Sequence, residues 1–283
     1  MCLALGTLLL VPTCISLILS LTESGPSLTT LKIEGEEYSP EIATITSMSG
    51  FEDRIRQDIY ENDLSGIDVP ILVDDYVRNK FFNKESYLDW YDNWTLAMMD
   101  RVFLRRLFPE LYLTHNMKPD DIVRFDHGLC NQQAIVFQTI IDKLEFEYGS
   151  VRFSSPDFGH FASAVKVAGV WYFFDSNLEP VYDRSDPELF DQILSGDRFL
   201  LTRMYGNHFS SISSEMIQLG DINTFPASRG TLVQTMSFFL SWYGWALFLV
   251  PNAAVLLYRK GMRYPKRSQS ESESPQTNRT DPQ

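Results

Sequence analysis

Residues 126–144 read DHGLCNQQAIVFQTIIDKL, and this stretch decides what kind of fold the chain can form. After Cys130, apolar residues return at steps of three or four, at Ala134, Phe137 and Ile141. This spacing predicts a helix that starts at the cysteine and is buried along one side. Such a helix needs a second layer of secondary structure to cover its apolar stripe.

Three short patterns typical of β-strands follow and supply that layer: Val151–Ser154, His160–Val167 and Val170–Asp175. Between the last two, Ala168-Gly169 suits a two-residue hairpin turn, which would pair Val167 with Val170. In this register His160 and Asp175 lie on one face of the sheet. A slip of one residue would place them on opposite faces, so the register is a specific prediction.

The other local patterns are mainly helical. Helices are predicted over Phe51–Asn62, Glu85–Leu113 and Asp186–Gly196, with Pro109 breaking the second. Residues 23–50 look like a polar lead-in, and 206–229 are expected to be irregular. A helical first half followed by a helix and an antiparallel sheet predicts an α+β fold.

The length of 283 residues, with 44% hydrophobic and 13% aromatic residues, fits one medium domain plus membrane segments. The net charge of −13 repels phosphate backbones and argues against nucleic acid as a partner. The predicted division is 1–22, an N-terminal anchor or signal; 23–117, a stalk and helical region; 118–229, the core; 230–258, a transmembrane helix; and 259–283, a basic and then polar tail.

Two runs without charged residues are long enough to cross a bilayer, Met1–Thr22 and Gly230–Tyr258. The second ends in a cluster of basic residues, Arg259, Lys260, Arg263, Lys266 and Arg267. Such a cluster marks the cytoplasmic side of a membrane helix. A buried core helix is the alternative, but the length and the basic end argue against it.

The first apolar run lacks a basic start and a small-residue cleavage site. An uncleaved anchor is therefore favoured, with a cleaved signal as the second choice. A lipoprotein site at Cys14 is poorly supported, since Val11-Pro12-Thr13 does not resemble the usual preceding motif. Either choice, with the basic C-terminal cluster, predicts that the middle of the chain lies outside the cytoplasm and the tail inside it.

Cys130, His160 and Asp175 occur in an order and in settings that suit nucleophilic catalysis. A thiol attacks as the thiolate, which a helix N-terminus and a neighbouring imidazole both favour. The sequence therefore predicts Cys130 as nucleophile, His160 as base and Asp175 as the group that orients it. Asn177 is a second candidate for the orienting role. Each residue alone has a structural explanation, as a buried thiol, a satisfied histidine or a turn residue.

A zinc site is the other chemistry open to the same cysteine. His127-x-x-Cys130 has ligand spacing, and His160 or His115 would have to complete it. Structural zinc sites usually combine two such pairs, and no second pair matches here. We therefore expect neither a metal nor another cofactor.

Three local motifs occur together: Gly128-Leu129-Cys130 with Ala134 one turn on, a strand opened by His160, and Gly169-Val170-Trp171-Tyr172 leading to Asp175. This set, within residues 118–180, resembles the transglutaminase-like superfamily of papain-fold enzymes in its short microbial form. The resemblance implies a nucleophile helix packed on an antiparallel sheet that carries base and orienter. Phe161 stands where the family often has Trp. The β-sandwich modules of the animal crosslinking enzymes are not matched, which argues against a calcium-dependent crosslinker.

The sequence thus predicts a membrane-anchored thiol enzyme that acts on amide or acyl bonds outside the cytoplasm. Its partners would be a protein or peptide substrate, an amine acceptor if it is a transferase, and the lipid bilayer. The alternative is an inactive, membrane-tethered binding module of the same fold.

Candidate side-chain donors to an oxyanion are Gln132, Gln133 and Trp94. Asn93-Trp94-Thr95 is a glycosylation sequon if the source is eukaryotic.

Overall fold

The computed structural model describes residues 2–22, 38–101, 113–154, 159–177, 182–209 and 212–262. In these parts the chain forms an α+β fold with ten α-helices and a four-stranded antiparallel sheet. The helices are α1 Cys2–Thr22, α2 Pro40–Ala43, α3 Met48–Glu61, α4 Asp68–Lys80, α5 Trp94–Met99, α6 Pro119–Val123, α7 Cys130–Lys143, α8 Glu188–Leu194, α9 Arg198–Tyr205 and α10 Ser228–Met262. The strands are β1 Glu147–Ser154, β2 Gly159–Val167, β3 Val170–Phe174 and β4 Ile217–Leu219.

The hairpin between β2 and β3 has the predicted turn and register. Val167 pairs with Val170 across the turn. The two turn residues between them have φ of 51° and 88°, the left-handed backbone that a tight two-residue hairpin requires. The predicted register, with His160 and Asp175 assigned to one face, is therefore confirmed.

The sheet has the strand order β3-β2-β1-β4, and the sequence did not predict β4. This strand lies in the stretch 206–229 that was expected to be irregular, so that prediction is wrong for Ile217–Leu219. Three residues are too few for an alternating pattern to show. The strand forms beside β1, where Phe153 pairs with Ile217.

Helix α7 packs on one face of the sheet through its apolar stripe. The buried Gln138 stands within this contact, donates to Ser163 Oγ at 2.8 Å and accepts from Ser150 Oγ at 3.1 Å. These two bonds satisfy a polar side chain that would otherwise be costly to bury. The helix predicted in this stretch is confirmed, but its expected burial along one side only is wrong, because every residue of 132–138 is buried.

The opposite face of the sheet packs on α8 and α9 and forms a separate core. Residues of this core include Val151, Phe153, Ala162, Ala164, Phe173, Leu189, Phe190, Ile193 and Leu201. Helix α8 lies within the predicted Asp186–Gly196 and confirms it. Helix α9 has no counterpart among the sequence predictions.

Helices α3 and α4 pack around a second core, which lies on the side of the sheet that α7 covers. Its residues include Phe51, Ile55, Val73, Val77, Ile140 and Phe174. The helix predicted from Phe51 is confirmed, with an earlier start. Ser47 accepts a hydrogen bond from Gly50 N at 3.2 Å, an N-cap that begins the helix at Met48.

The long helix predicted over Glu85–Leu113 is only partly present. Within it α5 spans six residues, and the described chain before α5 is not helical. Asn93 accepts from Leu96 N at 3.2 Å and caps α5 at its start. Residues 102–112, including the predicted break, lie outside the described residues. The prediction is therefore wrong before α5 and stays a prediction after it.

Within the described ranges, one helix is long and apolar enough to cross a membrane, Ser228–Arg259 of α10. Helix α1 packs along it: Thr13 Oγ1 donates to the Ser241 carbonyl at 2.7 Å, and Leu249 lies against Gly6. The apolar part of α1, Gly6–Leu21, is shorter. Its role as an anchor or a cleaved signal stays a prediction.

The first turns of α10 are joined to the globular part by buried, uncharged polar groups. Asn93 Nδ2 donates to Ser237 Oγ at 2.8 Å and to the Gln234 carbonyl at 3.2 Å. Since Asn93 is only 2% exposed, the Asn93-Trp94-Thr95 sequon is closed to glycosylation in this fold. These contacts also fix the direction in which α10 leaves the globular part.

Candidate functional site

Cys130 is the first residue of α7, and a glutamine side chain holds this helix end in place. Gln132 Oε1 accepts from Leu129 N at 3.0 Å and from Ser86 N at 3.2 Å. Its Nε2 donates to the carbonyls of Ser86 and Asn116 at 2.9 and 3.0 Å. All four bonds are internal, so Gln132 is fully buried and positions the helix start that carries the thiol.

The structure brings the three predicted catalytic residues together. His160 Nε2 lies 2.5 Å from Asp175 Oδ2. The Cys130 thiol lies near enough to the same imidazole to raise its pKa. His160 and Asp175 are buried, with side chains 6% and 1% exposed, whereas Cys130 is partly exposed. Cys130 is therefore the most exposed residue of the three.

On the strand face that carries His160, only the imidazole reaches the thiol. Ala162 and Ala164 share that face, but they pack in the core on the α8 and α9 side, opposite α7. The ladder between β2 and β3 ends at the pair Ser163–Phe174. His160 therefore lies beyond the last pair, where the end of α7 reaches the imidazole past the edge of the hairpin.

Asp175, rather than Asn177, holds the imidazole. Tyr205 Oη donates to Asp175 Oδ2 at 2.8 Å, and Asn177 N donates to Oδ1 at 3.2 Å. Asp175 N in turn donates to Tyr182 Oη at 3.1 Å. A carboxylate with this many donors is held in one orientation, as the orienting role requires. Asn177 contributes its backbone to the site.

The charge of the imidazole follows from three competing effects. Burial disfavours the charged ring and by itself lowers the His160 pKa. The Asp175 carboxylate opposes burial through its charge and its hydrogen bond, and the Cys130 sulfur acts in the same direction. The net result raises the pKa of His160 from 6.5 to about 10. At neutral pH a cation therefore faces the thiol.

Aromatic rings pack around the imidazole. Its ring centroid lies 5.3 Å from that of Tyr205, 5.7 Å from Phe209 and 5.8 Å from Phe153. Burial, with the nearby Asp175 charge, raises the pKa of Tyr205 well above its ordinary value, so the phenol keeps its proton and donates it. Low local polarity also strengthens the bond between His160 and Asp175.

The candidate side-chain donors to an oxyanion are all engaged elsewhere. Gln132 makes the four bonds described above. Gln133 Nε2 donates to the Gly128 carbonyl at 2.8 Å, and Trp94 Nε1 donates to the Ser241 carbonyl at 2.8 Å. Gln132 and Trp94 therefore have no side-chain N–H left for an oxyanion, whereas Gln133 has a second amide hydrogen and stays a prediction. The first-turn backbone N–H groups of α7 are the donors that the helix itself offers near the thiol.

A second buried carboxylate lies next to the site. Ser176 Oγ donates to Asp74 Oδ1 at 2.6 Å, and Arg184 Nη1 donates to Asp74 Oδ2 at 2.7 Å. Sequence reasoning missed Asp74, Arg184 and also Tyr205. None of the three belongs to a local motif. Each reaches its partner through tertiary packing, Asp74 from α4, Tyr205 from the end of α9 and Arg184 from the loop before α8.

The histidines considered as zinc ligands have other contacts. His127 Nδ1 lies 2.8 Å from Asp126 Oδ1, and the His115 ring packs edge-on against Tyr87. Over the described ranges, no group of three or more His, Cys, Asp and Glu side chains is placed to hold a metal ion. The cysteine of the His127-x-x-Cys130 pair instead faces His160.

Comparison of the chain with models of known protein families, with curated proteins and with solved structures finds no match. The functional assignment therefore depends on the geometry of the site.

Proposed function

We propose that this protein is a membrane-associated thiol enzyme that cleaves or transfers acyl groups through Cys130, His160 and Asp175. The observation that carries the proposal is the buried His160–Asp175 pair beside a partly exposed thiol at a helix N-terminus. A helix bearing the nucleophile on an antiparallel sheet is also what a papain or transglutaminase-like core would have. This agreement supports the family resemblance noted in the sequence.

The proposed reaction has two steps, formation of an acyl-enzyme on Cys130 and release of the acyl group from it. The Cys130 thiolate attacks an acyl carbon, and a carbon–sulfur bond forms while the bond to the leaving amine or alkoxide breaks. His160 gives its proton to the leaving group, which leaves a neutral imidazole and an acyl-enzyme. Water or an amine then attacks the thioester carbon, returns a proton to His160 and releases the thiolate. Asp175 holds the imidazole throughout.

The developing oxyanion would be stabilised by backbone groups. The N–H groups of Cys130 and Asn131 are the first-turn donors left for this role, since Gln132 N donates to Asn131 Oδ1 and Gln133 N to the Leu129 carbonyl. The helix dipole also favours negative charge at this helix end. Gln132 supports this arrangement indirectly, since its four internal bonds fix where the turn lies. Its role is positioning, without contact to the substrate.

The sidedness of the enzyme is part of the proposal. The apolar segment of α10 runs to Arg259, where the basic residues begin in the sequence. Basic residues after a membrane helix favour the cytoplasmic side. The globular part, which precedes α10, would then act outside the cytoplasm with the tail inside.

An inactive binding module is the second candidate function. The deep burial of His160 and Asp175 favours it, because an enclosed triad could serve only to hold the fold together. A reactive probe distinguishes the two functions. A binder keeps the geometry and lacks the reactivity of an activated thiol.

The test is labelling of the full chain in detergent with an acyl-electrophile probe, read by mass spectrometry. The enzyme proposal expects rapid labelling at Cys130, little at Cys14, which has no imidazole partner among its described contacts, and loss of the Cys130 label in His160→Ala. His127→Ala is the matched control and should label normally. Correctly folded protein with equal labelling of Cys130 and Cys14 would contradict the proposal.

A further inference from the structure

A cavity of about 870 Å³ lies between α7, the sheet and the first turns of α10. This volume is in the range that holds small-molecule ligands. Asn131 and Phe161 line it, and they are the immediate chain neighbours of Cys130 and His160. A ligand in the cavity therefore contacts the chain neighbours of Cys130 and His160, which do not themselves line the cavity.

Apolar side chains connect this cavity to the membrane-spanning part of α10. Met117, Ile135 and Val233 line the cavity. Val233 belongs to α10, where the neighbouring Leu232 and Met236 are each 60% exposed. Further exposed apolar residues follow down the helix: Phe239, Leu240, Tyr243, Leu247 and Val250. An apolar surface therefore runs without a charged residue from the rim of the cavity to the bilayer-spanning segment.

The cavity also carries positive charge in a chain whose net charge is −13. Arg152 and Arg229 line it together with a single acid, Asp221. The Arg152 guanidinium lies 5.4 Å from the centre of the Phe161 ring, which places this charge beside the residue that borders the site. An excess of guanidinium groups next to an apolar path suits a ligand with an anionic head and an apolar chain.

We propose that the cavity takes an anionic acyl amphiphile from the membrane. Its chain lies among Ile135, Phe161 and Val233, and its charged head lies at Arg152 and Arg229. Binding needs only these contacts. Its use as a substrate rests on the proposed function: Cys130 would take the acyl group as a thioester, the head group would leave with the His160 proton, and water would release the fatty acid.

The test uses the full chain in nanodiscs of phosphatidylcholine that contain phosphatidylglycerol with a diazirine in its acyl chain. After irradiation, crosslinked residues are mapped by mass spectrometry. We expect crosslinks at Ile135 and Phe161 that fall at least fivefold in Val233→Trp, which fills the cavity. They should fall similarly in Arg152→Glu/Arg229→Glu.

Matched controls use neighbouring residues that do not line the cavity. Leu232→Trp, on the exposed side of α10, and Arg198→Glu, an exposed arginine at the start of α9, should leave the cavity crosslinks unchanged. Cys130→Ser should also leave them unchanged, because binding needs no thiol. Failure of the thiol chemistry is therefore distinguishable from failure of lipid binding.

Crosslinks confined to the outer surface of α10 at Leu232 and Met236, and insensitive to Val233→Trp, would overturn the proposal. So would labelling of the cavity by a soluble diazirine peptide in preference to the lipid, which would identify a peptide site.

Discussion

Two buried carboxylates lie close together in this fold, and they differ in their partners. Asp74 and Asp175 have side chains that are each 1% exposed. Asp74 is paired with the Arg184 guanidinium, which keeps its proton under all ordinary conditions. Asp175 is paired with His160, which can release and take back a proton. Burial of a carboxylate is common to both, so the partner decides which of them can take part in chemistry.

The same difference appears in the pKa values. Burial raises the pKa of Asp74 above its ordinary value, although Arg184 and Ser176 partly offset the effect. The charge of Asp175 instead acts on the neighbouring imidazole and raises the pKa of His160 to about 10. One pair therefore joins α4 to the loop before α8, and the other holds a proton next to a thiol.

The largest difference should appear when each carboxylate is replaced by its amide. Asp175→Asn removes the charge that keeps His160 protonated, so labelling of Cys130 by the acyl probe at pH 7 should slow by about 10²–10⁴-fold. Asp74→Asn, in folded protein, should change that rate by less than about threefold. Equal effects of the two substitutions on the labelling rate would mean that both carboxylates are structural.

Arg184→Met tests the structural pair. It leaves Asp74 buried without its ionic partner, and loss of one member of a buried pair costs about 3–5 kcal/mol. Chemical unfolding of the full chain in detergent should show a loss of this size at pH 7. The loss should shrink at low pH, where Asp74 is protonated.

The control for that experiment is Arg198→Met, at an exposed arginine of α9, which should change the unfolding free energy by less than about 0.5 kcal/mol. A loss below about 1 kcal/mol in Arg184→Met would show that the Asp74–Arg184 pair contributes little to stability.

Tyr205→Phe should have the smallest effect of the substitutions at the Asp175 pair. It removes one hydrogen bond to Asp175 Oδ2 and keeps the ring, so the expected change is about 1 kcal/mol, or about fivefold in the labelling rate. The exposed Tyr60→Phe serves as control. A hundredfold loss in Tyr205→Phe would make the phenol a participant in proton transfer and contradict its assignment as a positioning residue.

The parts of the fold that the sequence predicted are those encoded by neighbouring residues. The apolar stripe after Cys130 predicts α7, and the Ala168-Gly169 turn predicts the β2–β3 register. Because that register is local, the common strand face of His160 and Asp175 also followed from the sequence.

The parts that the sequence did not predict depend on contacts between distant segments. Strand β4 exists because β1 offers an edge, and its three residues carry no pattern of their own. Tyr205 and Arg184 approach the two carboxylates only after α4, α9 and the hairpin have packed. The helix expected from Glu85 starts later because the Asn93 cap outweighs the helical spacing before it. The spacing of apolar residues gives no information about an N-cap that starts the helix at a later residue.

The central claim is that a protonated His160 activates Cys130, and alkylation of Cys130 as a function of pH tests it most directly. The rate of iodoacetamide reaction in the wild-type chain is compared with that in His160→Gln from pH 6 to 11. Because the His160 pKa is raised to about 10 from 6.5, the wild type should react more than about tenfold faster at pH 7. This advantage should be gone by about pH 10, because a thiol without an imidazolium partner is then ionised as well. A ratio near one at pH 7, or a ratio that stays the same above pH 10, would contradict the account.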